Sequence, residues 1–126
     1  MLNIFGFAVI FCLMTTCRSI VTTSLDADLF EKTLEQTPNP QLIDVRTLKE
    51  FNEERLPGVI LIDVKEETFE TLIQKLDKTR PVFVYCRSGK RSMDAAKILE
   101  KNEFKTVYNL KGGIIEWKEK GKTVEQ

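Results

Sequence analysis

The chain of 126 residues contains no histidine and has only three cysteines and one tryptophan. Without an imidazole, a cysteine–histidine pair cannot carry out nucleophilic catalysis. So few soft ligands also cannot assemble a zinc site or an iron–sulfur cluster, and we expect neither a metal nor a cofactor. Any reactive cysteine in this chain must therefore be activated by charges and hydrogen bonds.

Neither sign of charge is in excess, since basic and acidic side chains number nineteen each. This balance argues against nucleic acid or an anionic membrane surface as the main partner. Proline and glycine are sparse, and the chain has no internal repeat or low-complexity segment. After the first two dozen residues, about one hundred remain, which is enough for one domain with a single core.

The first residues form an apolar run that is too short to span a membrane. Residues 4–14 are almost all apolar, and small polar residues follow them. The run is shorter than the roughly 20 residues of a transmembrane helix, and its length is typical of a secretory signal. No basic residue precedes it, so a short anchor or a buried segment is the alternative. We assign residues 1–23 to an export leader and residues 24–126 to the folded domain, which we expect in the bacterial periplasm.

Two processing routes fit the end of this leader. Residues 14–17 resemble a relaxed lipobox, in which Cys17 would be lipidated and would tether the protein to the membrane. The alternative is cleavage near residues 19–24 to a soluble product. On these routes Cys12 leaves with the leader and Cys17 is either removed or lipidated, so we expect Cys86 to be the one free thiol and no intramolecular disulfide to form. A lone thiol in an exported protein indicates reactivity or intermolecular pairing.

Short apolar strands alternate with amphipathic helices along the remaining sequence. Such alternation predicts an α/β fold with a small parallel sheet and helices on both faces. The predicted strands cover residues 42–45, 59–62, 82–85 and 106–108. Five helices are predicted. The first follows a cap at Ser24 or Asp26, the second covers residues 48–54 after a cap at Thr47, and the third covers residues 66–76. The fourth covers residues 93–101 after a cap at Ser92, and the fifth covers residues 114–118.

The run Cys86-Arg87-Ser88-Gly89-Lys90-Arg91 lies between a predicted strand and a predicted helix. Backbone N–H groups can converge on one point at such a junction, and ligands bind at the carboxyl ends of parallel strands. Three cationic side chains lie in the same six residues. Both effects favour the thiolate, which is the nucleophile, over the neutral thiol. The alternative is that Cys86 is a small buried hydrophobic residue at the end of a strand, and its polar and cationic neighbours argue against it.

Four segments together resemble the rhodanese family of sulfurtransferases, in family order over residues 24–119. They are LIDVR with EF at residues 42–51, LPGV at 56–59, VYCRSGKRS at 84–92 and VYNLKGGIIEW at 107–117. The resemblance implies a single rhodanese-like domain. One departure is Arg55, which stands where many members carry a histidine that is not the nucleophile.

The resemblance also implies a reaction. Cys86 would attack the outer sulfur of a small anionic donor such as thiosulfate, or of a polysulfide, and become a persulfide. A thiol or cyanide would then accept the sulfur. The backbone of Ser88 and Gly89 would help to hold the thiolate and the persulfide, and glycine would allow the loop its tight curve.

Five charged residues near this loop have two interpretations each. The resemblance implies that Arg87, Lys90 and Arg91 attract the anionic donor and stabilise its leaving group. The alternative, which applies mainly to Arg87 and Lys90, is a solvated basic rim. Asp44 and Arg46 are a supporting pair beside the site, or an ion pair that holds the end of the strand predicted over residues 42–45 and the turn that follows it.

Two other functions fit the same residues. The domain could carry a persulfide or recognise a partner with little turnover of small donors, because fold alone does not fix function. It could also be a phosphatase, but phosphate-binding cysteine loops place one more residue between cysteine and arginine than the four found here. A shorter loop suits a sulfur atom better than a phosphoryl group.

We expect the protein to be a monomer.

Overall fold

The computed structural model describes residues 21–126. Five parallel strands form one sheet in the order β1-β5-β4-β2-β3. The strands are β1 (Thr22–Leu25), β2 (Gln41–Asp44), β3 (Ile60–Leu61), β4 (Val82–Tyr85) and β5 (Val107–Leu110). The helices are α1 (Ala27–Gln36), α2 (Leu48–Glu53), α3 (Phe69–Ile73), α4 (Lys90–Lys101) and α5 (Gly113–Glu119). The predicted α/β fold with a small parallel sheet is confirmed.

The central strand β4 is covered on both faces. Val82 and Val84 pack with α3 and α4 on one side of the sheet. Phe83 and Tyr85 pack with α1 and α5 on the other. A strand buried on both faces has no position for a polar side chain, which explains its uninterrupted apolar sequence. Its carboxyl end lies in the middle of the sheet, and Cys86 comes directly after it.

The edge strand β1 was not predicted. Its residues Thr22–Leu25 pair with β5, and Thr22 lies opposite Val107. The strand is largely polar because it has a neighbour on one side only, so its sequence lacks an apolar run. It begins two residues before the domain boundary that we predicted at residue 24. The leader, the lipidation of Cys17 and the periplasmic location concern residues outside the described range and stay predictions.

Several element boundaries differ from the prediction. The helix expected over residues 66–76 is α-helical only over Phe69–Ile73, because i→i−3 bonds shape the turns on both sides of it. The strand expected over residues 59–62 is reduced to the two residues of β3. Asp26, rather than Ser24, caps α1. The predicted Thr47 cap of α2 is confirmed as a full capping box.

The predicted cap of α4 was wrong. The N-cap is Gly89, and Ser92 lies two residues inside the helix. Gly89 has a φ of 102°, a left-handed conformation that glycine adopts without strain. The helix therefore begins directly at the end of the cysteine loop. None of the helices in residues 21–126 has the length and apolar character needed to cross a membrane.

Candidate active site

The sulfur of Cys86 lies in a loop that closes around it between β4 and α4. The backbone N–H of Gly89 donates a hydrogen bond to Sγ at 3.1 Å, and Sγ lies 3.4 Å from the hydroxyl of Ser92. Only 1% of Cys86 is exposed. A reactant would therefore meet this sulfur at the bottom of the loop rather than on an open surface.

The net effect of these surroundings is to lower the pKa of the Cys86 thiol. Burial is the largest single influence and by itself would raise the pKa. Hydrogen bonds from the Ser92 hydroxyl and from the backbone N–H groups of Ser92, Gly89 and Ser88 outweigh it. The thiolate is thus stabilised chiefly by hydrogen bonds, whereas both backbone N–H groups and nearby cations were expected to stabilise it.

Ser92 is a site residue that the sequence analysis missed. Its side chain is fully buried, and its hydroxyl lies 3.0 Å from the carbonyl oxygen of Gly89 as well as beside the sulfur. With a neutral thiol, S–H donates to Ser92 and Ser92 donates to Gly89. When Cys86 ionises, the same hydroxyl can rotate and donate to the thiolate. A helix start at Lys90 would have revealed this contact, because it places residue 92 in the first turn.

The first turn of α5 holds the other side of the cysteine loop. The N–H groups of Ile114 and Ile115 donate to the carbonyls of Cys86 and Arg87 at 3.0 and 3.2 Å. Gly113 has a φ of 63°, and a Cβ at this position would collide with the Arg87 carbonyl. These bonds hold the two carbonyls on the α5 side of the loop, and the N–H groups of Ser88 and Gly89 point to the sulfur on the other side.

Arg91 connects the loop to α2. Its guanidinium donates two hydrogen bonds to the carboxylate of Glu50, at 2.7 and 2.9 Å. The bonds from Arg91 lower the pKa of Glu50 to about 2, against an opposing effect of burial. The pKa of Arg91 is raised mainly by the same bonds, with a smaller attraction to Cys86. Its charge is therefore largely compensated before any donor arrives.

Asp44 and Arg46 form the ion pair that was one of their two predicted interpretations. Both side chains are almost fully buried, and Arg46 Nη2 lies 2.6 Å from Asp44 Oδ2. The hydroxyl of Tyr85 donates to the same Asp44 oxygen at 2.7 Å and accepts the N–H of Leu56 at 3.1 Å. This network ties the carboxyl ends of β2 and β4 together below the loop, and Arg46 also lines the cavity beside it.

The three remaining predicted site residues lie at the surface of the cysteine loop, whereas Gly89 is buried. Arg87, Ser88 and Lys90 are all exposed. Within residues 21–126, neither Arg87 nor Lys90 forms an ion pair. They are the cations of the loop that remain available to a ligand. The same range contains no cluster of three or more side chains that could hold a metal ion.

Comparison with known proteins identifies the fold. Residues 26–120 match the rhodanese-like domain family. The chain belongs to the rhodanese-like family. A sulfurtransferase of Allochromatium vinosum is 30% identical over 101 residues, which cover 80% of this chain and 92% of that protein. YrkF of Bacillus subtilis, named as a sulfur carrier protein, is 31% identical over 99 residues, which cover 79% of this chain and 51% of that protein.

A solved structure agrees with the assignment. The rhodanese-like domain of the Anabaena protein Alr3790 superposes with a TM-score of 0.72 at 27% identity, covering 81% of this chain and 77% of that chain. The predicted rhodanese-like fold is thereby confirmed. In this rhodanese-like domain, six of the eight predicted site residues, Cys86 to Arg91, form one continuous segment that ends in the first turn of α4. The other two, Asp44 and Arg46, form a buried ion pair at the carboxyl end of β2.

Proposed function

We propose that the protein is a sulfurtransferase that moves a sulfane sulfur from thiosulfate or polysulfide to a thiol or cyanide through a persulfide on Cys86. The observation that carries this proposal is the Cys86 sulfur held by the Gly89 N–H and the Ser92 hydroxyl at the carboxyl end of the central strand. These donors stabilise a sulfur anion without an imidazole.

In the first step, the Cys86 thiolate attacks the outer sulfur of thiosulfate. A bond forms between Sγ and that sulfur, the S–S bond of thiosulfate breaks, and its electron pair leaves with sulfite. Arg87 and Lys90 attract the dianionic donor because their charges are exposed and not compensated within the described part of the chain. We assign Arg91 a positioning role, since its fork is occupied by Glu50.

In the second step, an acceptor removes the outer sulfur and restores the thiolate. The N–H groups that hold the thiolate would also stabilise the charge of the persulfide, so one loop serves both states. A persulfide carrier with little turnover of small donors would use the same loop, and the likeness to YrkF supports that second candidate. The two candidates differ in whether a small acceptor discharges the persulfide rapidly.

The test is intact-mass spectrometry of the protein after incubation with thiosulfate, followed by cyanide. We expect thiosulfate to add the mass of one sulfur atom and cyanide to remove it as thiocyanate. Because each cycle regenerates the Cys86 thiolate, the same protein should be loaded and discharged repeatedly. A single slow discharge with no repeated turnover would favour the carrier. No added sulfur from either thiosulfate or polysulfide would contradict both candidates.

A further inference from the structure

The ion pair between Arg91 and Glu50 joins the end of the cysteine loop to a neighbouring helix. Arg91 lies in the first turn of α4, and Glu50 lies in the first turn of α2. The two side chains are 22% and 24% exposed, so solvent reaches the pair. The pKa of Arg91 is raised mainly by its bonds to Glu50, and the negative charge of the Cys86 thiolate raises it further. The guanidinium is therefore within electrostatic range of the sulfur.

The carboxylate of Glu50 is held in place by its own helix. Its Oε1 accepts hydrogen bonds from the Thr47 hydroxyl at 3.1 Å and from the Thr47 N–H at 3.4 Å, as part of the capping box of α2. Both carboxylate oxygens also accept bonds from the Arg91 guanidinium. Because the cap already fixes the carboxylate, little conformational freedom is lost when it binds the guanidinium. Arg91 is thus bound to α2 and not to a ligand of the loop.

The cations that remain free on the loop equal the charge of thiosulfate in number. Arg87 and Lys90 are exposed and form no ion pair within residues 21–126, and thiosulfate has two negative charges. Sulfite, the leaving group of the first step, is an anion as well. A third free cation beside the loop would bind the donor and the product more tightly together. Such uniform binding lowers KM without raising kcat.

We propose that Glu50 sets the affinity of the site for its anionic donor by withholding the charge of Arg91. This inference rests on the function proposed above and adds a residue of α2 that determines how tightly anions bind. With the pair intact, Arg87 and Lys90 bind thiosulfate, and sulfite dissociates readily after the sulfur has been transferred. Glu50 acts through Arg91 and does not touch the reacting atoms, so it is a positioning residue.

The first experiment measures the electrostatic potential at Cys86 without any sulfur transfer. The reagents are iodoacetate, an anion, and iodoacetamide, which is neutral; each alkylates the thiolate with loss of iodide, and the mass of the Cys86 peptide reports both rates. Because both reagents attack the same thiolate, the ratio of their rates does not depend on the ionised fraction. We expect Glu50→Gln to raise the iodoacetate-to-iodoacetamide ratio about 3- to 10-fold, since the charge of Arg91 is then uncompensated. Glutamine can still accept the Thr47 hydrogen bonds, so α2 keeps its cap.

Two further variants make this result specific to the ion pair. Glu53→Gln removes an exposed carboxylate from the same helix that forms no ion pair within residues 21–126, and it should leave the ratio close to the wild-type value. In Glu50→Gln/Arg91→Gln both charges are absent, so the ratio should return to the wild-type value. A ratio well below the wild-type value in this double variant would show that Arg91 already attracts the anion, and it would overturn the proposal even if Glu50→Gln alone does not fold.

The second experiment measures steady-state thiocyanate formation from thiosulfate and cyanide, and its inhibition by sulfite. We expect Glu50→Gln to lower the KM for thiosulfate and the inhibition constant of sulfite by about 3- to 10-fold each, with no rise in kcat. A higher KM, an unchanged alkylation ratio, or an equal change of the ratio in Glu53→Gln would overturn the role of Glu50. Failure of the wild type to load sulfur while the alkylation ratio responds as expected would instead contradict the proposed transfer reaction.

Discussion

Replacement of Cys86 with alanine is expected to abolish sulfur uptake from thiosulfate and to reduce thiocyanate formation by about 10³-fold or more. Cys86 is the one free cysteine in residues 21–126, and the chain has no histidine that could take over as nucleophile. The hydrogen-bond donors of the loop remain in the variant, but without the sulfur they have no atom on which a persulfide can form. The measurements are intact mass after thiosulfate and the rate of thiocyanate production.

The matched control for this prediction is Asp94→Ala, which removes an exposed side chain of α4 and leaves Cys86 in place. We expect it to load sulfur as the wild type does. Peptide mapping of the loaded wild type should place the added sulfur on Cys86. Equal loading of wild type and Cys86→Ala would show that the site described above does not carry the chemistry.

Replacement of Asp44 with alanine is expected to lower the free energy of unfolding by about 3–5 kcal/mol. The carboxylate is fully buried and binds both the Arg46 guanidinium and the Tyr85 hydroxyl. Its removal leaves a buried positive charge without its partner, and the desolvation cost of that charge is no longer offset. Denaturant titration of the variant measures the loss directly.

Two further variants show whether the buried network is responsible for this loss. Tyr85→Phe removes a single hydroxyl from the same network and should cost about 1–3 kcal/mol, because the N–H of Leu56 loses its acceptor. Asp94→Ala removes an exposed carboxylate on α4 and should change stability by about 0.5 kcal/mol or less. A loss from Asp44→Ala no larger than that from Asp94→Ala would refute the role assigned to the buried pair.

The parts of the fold that the sequence predicted are those whose local pattern determines their environment. Residues 82–85 are apolar throughout because both faces of β4 are covered, and this pattern is visible without knowledge of any neighbour. Strand β1 has no such pattern. It is extended because β5 offers hydrogen bonds along its whole length, and that pairing joins residues that are 85 positions apart in the chain.

The same difference explains which site residues were found. Cys86 and the cations of its loop are adjacent in sequence, so their shared chemistry could be predicted. The partner of Arg91 could not, because Glu50 lies 41 residues away. As a result, we predicted that Arg91 binds the anionic donor. In the structure its guanidinium is bound instead to the Glu50 carboxylate on α2. The contact between Ser92 and Cys86 likewise depends on where α4 begins.

The central claim, that hydrogen bonds in the loop lower the pKa of Cys86, is tested most directly by the rate of alkylation of this thiol as a function of pH. Because the thiolate is the reactive form, the rate rises as pH passes upward through the pKa. A lowered pKa moves this rise to lower pH. We predict a midpoint below the ordinary cysteine value of about 8.5, and a higher midpoint in Ser92→Ala, which loses one donor to the thiolate. A wild-type midpoint at or above about 8.5, unchanged in Ser92→Ala, would contradict the account.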